Sequence, residues 1–183
     1  VAILDILEAP HPILSKKARP VEHAEFGPDL ARRLADMAET MYAAPGVGLA
    51  APQVGDSRRV LVADPGFEGE DGETQKGKDL IFMVNPVIVE SGPETLTWEE
   101  SCLSVPEFYQ DIKRKKRITV RFQDATGAVH QRVFEDFPAI VIQHEMDHLD
   151  GTTLLEHSSG FKRSRYLTKK KKRAQRGSAS ADL

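Results

Sequence analysis

The chain is poor in cysteine and in long apolar runs, and each shortage excludes something. Cys102 is the only cysteine among 183 residues, so no intrachain disulfide can form. A lone thiol fits a reducing compartment and leaves a thiolate free for a metal or for catalysis. No stretch approaches the ~20 apolar residues of a bilayer span, so no membrane is expected as a partner. The opening "VAILDILEAPHPILSKKARP" lacks a charged region ahead of a long apolar one and does not read as a secretory signal, although a start at Val1 is compatible with a removed leader. No internal repeat is visible. The Gly-rich segment 46–53, "GVGLAAPQ", lacks the lysine of a phosphate-cradling loop, which excludes a nucleotide site there.

What is present describes an ordinary water-soluble chain, 40% hydrophobic and 29% charged, of a size for one domain with a sizeable core plus an appendage. The net charge of −3 conceals a split. Residues 162–176, "KRSRYLTKKKKRAQR", hold nine Lys or Arg and no acid, and with Asp182 the segment from 162 onward carries +8. The remainder, with 16 basic and 27 acidic residues, carries −11. An acidic body of residues 1–160 and a basic tail of residues 161–183 are expected, the tail attracted to polyanions such as RNA.

Periodicity gives a coarse fold. Leu30, Leu34, Met37 and Met41 recur at spacings of three and four, which predicts a helix over 28–43 with Pro28 at its start. Residues 59–64 and 80–90 read as strands, the second broken near Pro86, with an exposed loop of glycine and charge between them. Residues 117–124 alternate and turn through "ATG" into 128–136, a hairpin signal. A helix then runs from Asp136 and Pro138 to about Leu149, with Gly151 as its stop. Ile140, Val141, Ile142 and Met146 make it apolar over much of its girth, so it should be buried. A last, mostly polar helix is expected over 160–175, doubtful in stability without a partner. The class is α+β, with mixed or antiparallel strands around a central helix and a C-terminal helix beyond.

The central helix carries "QHEMDHLDG" (143–151). At about 100° per residue, His144 and His148 point the same way and can share one metal ion, with Glu145 placed to exchange protons with water on it. Cys102, in "EESCLSVPE" (99–107), supplies a thiolate suited to zinc or ferrous iron. Three protein ligands leave a position open, which is the pattern of a catalytic site.

"GVGLAAPQ" (46–53), "ESCLS" (100–104) and "QHEMDHL" (143–149) stand in the order and spacing of the three motifs of peptide deformylase, which residues 1–160 resemble throughout. The resemblance implies a hydrolase that removes the formyl group from the N-terminal formylmethionine of nascent proteins and releases formate. It implies Cys102, His144 and His148 as metal ligands, metal-bound water as nucleophile, Glu145 as general base and acid, and an oxyanion held by the Gln53 side chain and the Leu103 N–H. Gly46, Val47 and Gly48 would lie along the peptide. Val47, Trp98, Ile140, Val141 and the His144 ring would border the methionine side chain, although Ile140 reads equally well as core, and Glu100 is expected among the substrate-binding residues. The implied ion is Fe²⁺, with Zn²⁺, Ni²⁺ or Co²⁺ as occupants in purified protein. N-formylmethionyl peptides are the expected partners, the ribosome is a further one through residues 162–176, and the expected compartment is the cytoplasm or an organelle interior.

Two departures from the family pattern stand out. Ser101 replaces a glycine and would be strained if the site needs positive φ there. Phe108 and Tyr109 occupy the region where many members have an arginine, which suggests an altered entrance. Asp147 reads either as a brace for a neighbouring group or as a solvated carboxylate, and His157 as an exposed polar residue. Two other functions compete. A zinc protease also uses H-E-x-x-H, but takes its third ligand from a later His or Glu. An RNA-binding protein with a structural metal would want four protein ligands.

Overall fold

In the computed structural model, residues 2–68, 74–75 and 79–181 are described. Helix α1 spans Pro28–Ala43, with Pro28 at its first turn, and buries Leu30, Leu34, Met37 and Met41, the stripe expected from the spacing. Five strands form an antiparallel sheet: β1 (Gly48–Ala50), β2 (Val60–Ala63), β5 (Ile81–Ser91), β8 (Arg117–Gln123) and β9 (Val129–Glu135), in the order β1-β2-β5-β8-β9. β3 (Phe67–Glu68) and β4 (Thr74–Gln75) pair within the segment expected to be a loop, of which residues 69–73 and 76–78 lie outside the described residues. The break expected at Pro86 is a bulge instead. β5 runs on past it, with a register shift between Val84 and Val87 and Asn85 at φ 52°. The Asn85 side chain stabilises that bend, with bonds to Val21 N, Val21 O and Gln123 Oε1.

Helix α2 spans Phe137–Leu149. Alternation along β2 shows why both helices find a place. Val60 and Val62 pack with Leu34, Met37 and Met41 of α1, while Leu61 and Ala63 pack with Val141, Ile142 and Leu149 of α2. The sheet therefore carries α1 on one face and α2 on the other. Each fully buried Leu or Ile contributes about 1.5–3 kcal/mol by leaving water, which makes α2 a rigid mount.

A second hairpin, β6 (Thr95–Cys102) and β7 (Val105–Lys115), was not foreseen and holds the cysteine motif at its tip. α2 lies between this hairpin and the sheet. The last helix, α3 (Gly160–Ala181), is longer than expected and has a partner. Tyr166 meets Phe108 edge-on at 5.2 Å between ring centres, and its hydroxyl donates to Pro106 O at 2.9 Å. Lys170 pairs with Glu8 at 3.2 Å, and Arg173 pairs with Glu107. No helix among the described residues is long and apolar enough to cross a membrane.

Candidate metal centre

The three predicted ligands converge. On α2, His144 and His148 are one turn apart, with ring centres 5.2 Å from each other. The tip of the β6–β7 hairpin brings Cys102 Sγ to 3.3 Å from His148 Nε2. One ligand atom from each of Cys102, His144 and His148 lies within 4.8 Å of the others. His144 Nδ1 is engaged by Glu100 Oε1 at 2.9 Å, which leaves Nε2 as its free donor atom. This metal-type cluster among the described residues has three members and no fourth.

Glu145 follows His144 and is buried, 4% exposed, with Oε2 lacking any hydrogen-bond partner. An orphaned carboxylate oxygen in a dry site costs several kcal/mol unless something fills the gap, so the position fits a group that accepts a proton or a bound water. Burial pushes the Glu145 carboxyl up to about 7. Burial also holds His148 well below the usual imidazole range, helped by the neighbouring His144. Burial alone would lower His144 too, but hydrogen bonds to Cys102 and Glu100 more than offset it and the net direction is upward. A soft thiolate and two imidazoles are a donor set that fits one divalent transition metal, with the unpartnered Glu145 carboxylate beside it.

A cleft of about 460 Å³ opens onto these groups. Gly46, Val47 and Gly48 form one wall, and Trp98, Ile140 and Val141 another. β1 is an edge strand, bonded to β2 alone, so its outer side faces the cleft as an unpaired edge. Gly48 has no special φ but is needed for space: a Cβ there would lie 2.6 Å from Glu145 Oε1. Gln53 is 1% exposed and fixed at both ends of its amide. Its Oε1 accepts from Ala50 N at 2.9 Å, and its Nε2 donates to Ser104 Oγ at 3.0 Å and faces Cys102 Sγ at 3.7 Å. Leu103 sits in the turn between β6 and β7, beside Cys102.

Some expectations need amendment. Glu100 borders the cleft, but both its oxygens are committed away from it: Arg114 donates to Oε2 from Nε at 2.6 Å and to Oε1 from Nη2 at 2.8 Å, and His144 takes Oε1 as well. Ser101 is not among the described residues with positive φ, so the serine brings no backbone strain. Phe108 is 5% exposed and turned under α3, and neither it nor Tyr109 lines the cleft. His157 is bonded to Asp147 at 2.9 Å rather than simply solvated.

Sequence reasoning missed Phe137, whose ring packs against that of Trp98, 5.4 Å between centres, in the lining of the cleft. It is one turn before Ile140 and Val141, so helical periodicity could have found it. The braces Ser104 and Arg114 were also missed. Ser104 closes the quoted ESCLS motif, but Arg114 sits in a run of charges that gives no sign of burial.

The sequence profile of the Polypeptide deformylase family matches residues 3–164. A peptide deformylase of Erythrobacter litoralis is 44% identical over 193 residues, covering 96% of this chain and 99% of that protein. One from Phenylobacterium zucineum is 41% identical with the same coverage. Among solved structures, a peptide deformylase from Legionella pneumophila superposes with a TM-score of 0.81 at 39% identity, over 95% of this chain and 98% of that one. The Met-Ala-Ser-bound class I type b enzyme of Acinetobacter baumannii superposes with a TM-score of 0.76 at 34% identity, over 85% of this chain and 98% of that one.

Proposed function

Because the chain belongs to the peptide deformylase family, a metal-dependent family whose activity is removal of the N-formyl group from nascent proteins, we propose how its own residues carry out that reaction. Cys102 Sγ, His144 Nε2 and His148 Nε2 would hold the ion. Bound there, a divalent metal supplies Lewis acidity, lowering the pKa of water toward neutrality and polarising the formyl oxygen. The observation that carries this reading is the meeting of three ligand atoms within 4.8 Å beside the unpartnered Oε2 of buried Glu145.

The formylmethionyl peptide lies along the edge at Gly46, Val47 and Gly48 as an added strand. Trp98, Phe137, Ile140 and Val141 surround the methionine side chain with apolar surface. The Met-Ala-Ser-bound enzyme of Acinetobacter baumannii supports a cleft that takes a methionine-first peptide. Glu145 Oε2 accepts the proton of the attacking water, and the same oxygen delivers it to the departing amine, so that formate and a free N-terminus result. Negative charge develops on the formyl oxygen as the water adds. The Gln53 Nε2 amide, prealigned by Ala50 and Ser104, and the Leu103 N–H are its donors. Glu100 holds His144 by Nδ1 and keeps Nε2 aimed at the ion.

Membership of the family implies Fe²⁺ as the ion in the cell, while a thiolate with two imidazoles suits Zn²⁺, Ni²⁺ or Co²⁺ as well. Residues 1–160 form the catalytic unit, and residues 161–183 a basic appendage that contacts ribosomal RNA through 162–176. The compartment is the cytoplasm. The third ligand comes from β6 rather than from a residue after His148, which separates this site from the H-E-x-x-H protease pattern.

The test is release of formate from formyl-Met-Ala-Ser, with metal content measured on the same samples. Glu145→Gln should keep one ion per chain and lose about 10²–10⁴-fold in turnover, the usual weight of a general base. Retained turnover in that variant would overturn the assignment. For the tail, replacing Lys169, Lys171 and Lys172 by Gln should abolish co-sedimentation with ribosomes at low salt. Undiminished co-sedimentation would remove the ribosome contact.

A further inference from the structure

The hydrogen bonds that orient His144 do not stop at Glu100. Glu100 is held from the other side by Arg114, and the two side chains are 4% and 6% exposed. Arg114 uses Nε and Nη2 on Glu100 and then reaches with Nη1 to Asp147 Oδ2 at 2.9 Å. The same oxygen of Asp147 receives His157 Nε2 at 2.9 Å. An unbroken path therefore runs from a surface histidine through Asp147, Arg114 and Glu100 to the ring of a metal ligand.

His157 is itself firmly placed. It lies in the turn after α2, where its N–H donates to Leu154 O at 3.2 Å, and Leu154 and Leu155 are buried at 1% and 4% exposure. Glu156 caps the same turn through Thr153 N and Oγ1, at 2.9 and 2.6 Å. Asp147 is the weak link. Its side chain is 28% exposed, so with Arg114 as its only partner it would be free to turn into water. A second donor from a rigid turn holds it. Arg114 has one remaining anchor besides Glu100, and the Glu100 carboxylate can be no better fixed than the guanidinium that grips it.

Resting on the metal-site reading above, we propose that His157 is a positioning residue for the metal centre: by donating to Asp147 it immobilises Arg114 and Glu100 and so preorganises the His144 ring. The residues that orient a ligand typically carry ~10–100-fold in metal affinity, and a contact further out carries less. Loss of the His157 donor should weaken binding about 3–10-fold on that scale.

The experiment is chelator competition for Co²⁺ on the full chain, read by the visible cobalt absorption, with kcat and KM for formyl-Met-Ala-Ser measured alongside. His157→Phe keeps the ring volume and removes the donor. His157→Gln places an amide nitrogen near the Nε2 position and restores it. Phe should weaken Co²⁺ binding about 3–10-fold, with KM unchanged, and Gln should bind within about twofold of wild type. A purely structural role would lower the melting temperature of both variants without moving Co²⁺ affinity. Wild-type affinity in His157→Phe, or equal weakening in Phe and Gln, overturns the proposal. If His157→Phe does not fold, Asp147→Asn is the second probe, expected to shift affinity in the same direction, and wild-type affinity there overturns it equally. A wild-type chain that takes up no Co²⁺ would instead overturn the Cys102, His144 and His148 site itself.

Discussion

Gly48→Ala is the sharpest perturbation the structure offers, because it adds one carbon and no charge. The new Cβ would lie 2.6, 2.8 and 2.9 Å from Oε1, Cγ and Cδ of Glu145. Ordinary contact with those atoms needs roughly 3.4 Å or more, so the carboxylate must retreat by about 0.5–0.8 Å. Glu145 is 4% exposed in a packed helix and has little room to do so. A 1 Å misplacement of a reacting group costs on the order of 10²-fold in rate, and overpacking a core position costs about 1–3 kcal/mol in stability. Gly48→Ala should therefore lose roughly 10²-fold in kcat for formate release. Metal content should stay at the wild-type level, since none of the three atoms nearest the added carbon belongs to Cys102, His144 or His148. Turnover within twofold of wild type in a folded variant would refute the claim that Glu145 is fixed against β1.

Other outcomes follow from the same geometry. Arg114→Met leaves Glu100 buried without its cation and should destabilise the fold by about 3–5 kcal/mol, read as a lower urea midpoint. Gln53→Leu removes the amide proposed as an oxyanion donor and should cost about 10²–10³ in kcat with KM little changed. The Arg19–Glu25 pair gives a pH signature. Its hydrogen bond to Arg19 holds the Glu25 carboxyl at about 2, so its stabilisation is fully present above the unfolded value of 4.5 and is lost as pH falls through about 2. The melting-temperature gap between wild type and Glu25→Gln should shrink across that window. Tyr42 behaves oppositely. Burial, and then its hydrogen bond to Asp64, push its hydroxyl up to about 12, so its contribution is complete below 10 and lost as pH rises through about 12. Tyr42→Phe should be less stable than wild type at pH 8, and the two should converge above that window.

Where side-chain pattern decides structure, the sequence was easy to read. The Leu30–Leu34–Met37–Met41 stripe lies on the buried face of α1, and the alternation of Ile118, Val120 and Phe122 marks a strand with one face in the core. The β6–β7 hairpin was harder because it stands apart from the main sheet and exposes most of β6, where Thr, Trp and Glu give no apolar alternation. Its pairing includes two acids facing each other, Glu99 and Asp111, which argues against pairing on local grounds. The proposed ligands were legible because each sits inside a short motif. The brace behind them was not. Arg114 is buried within Asp111–Arg117, a stretch whose four other Lys or Arg side chains look like a solvated run, and its partners lie 14 and 33 residues away. Long-range charge pairing of that kind leaves no periodic trace. The Pro86 break failed for a related reason: Asn85 absorbs the irregularity by bonding to Val21 and Gln123, far along the chain.

X-ray absorption at the metal edge of anaerobically prepared protein examines the ligand set directly. With zinc bound, one sulfur scatterer at ~2.3 Å, two imidazole nitrogens near ~2.0–2.1 Å and at least one light atom from solvent are expected. The sulfur should vanish in Cys102→Asp. A first shell without sulfur, or one filled by four protein ligands, would contradict that ligand set.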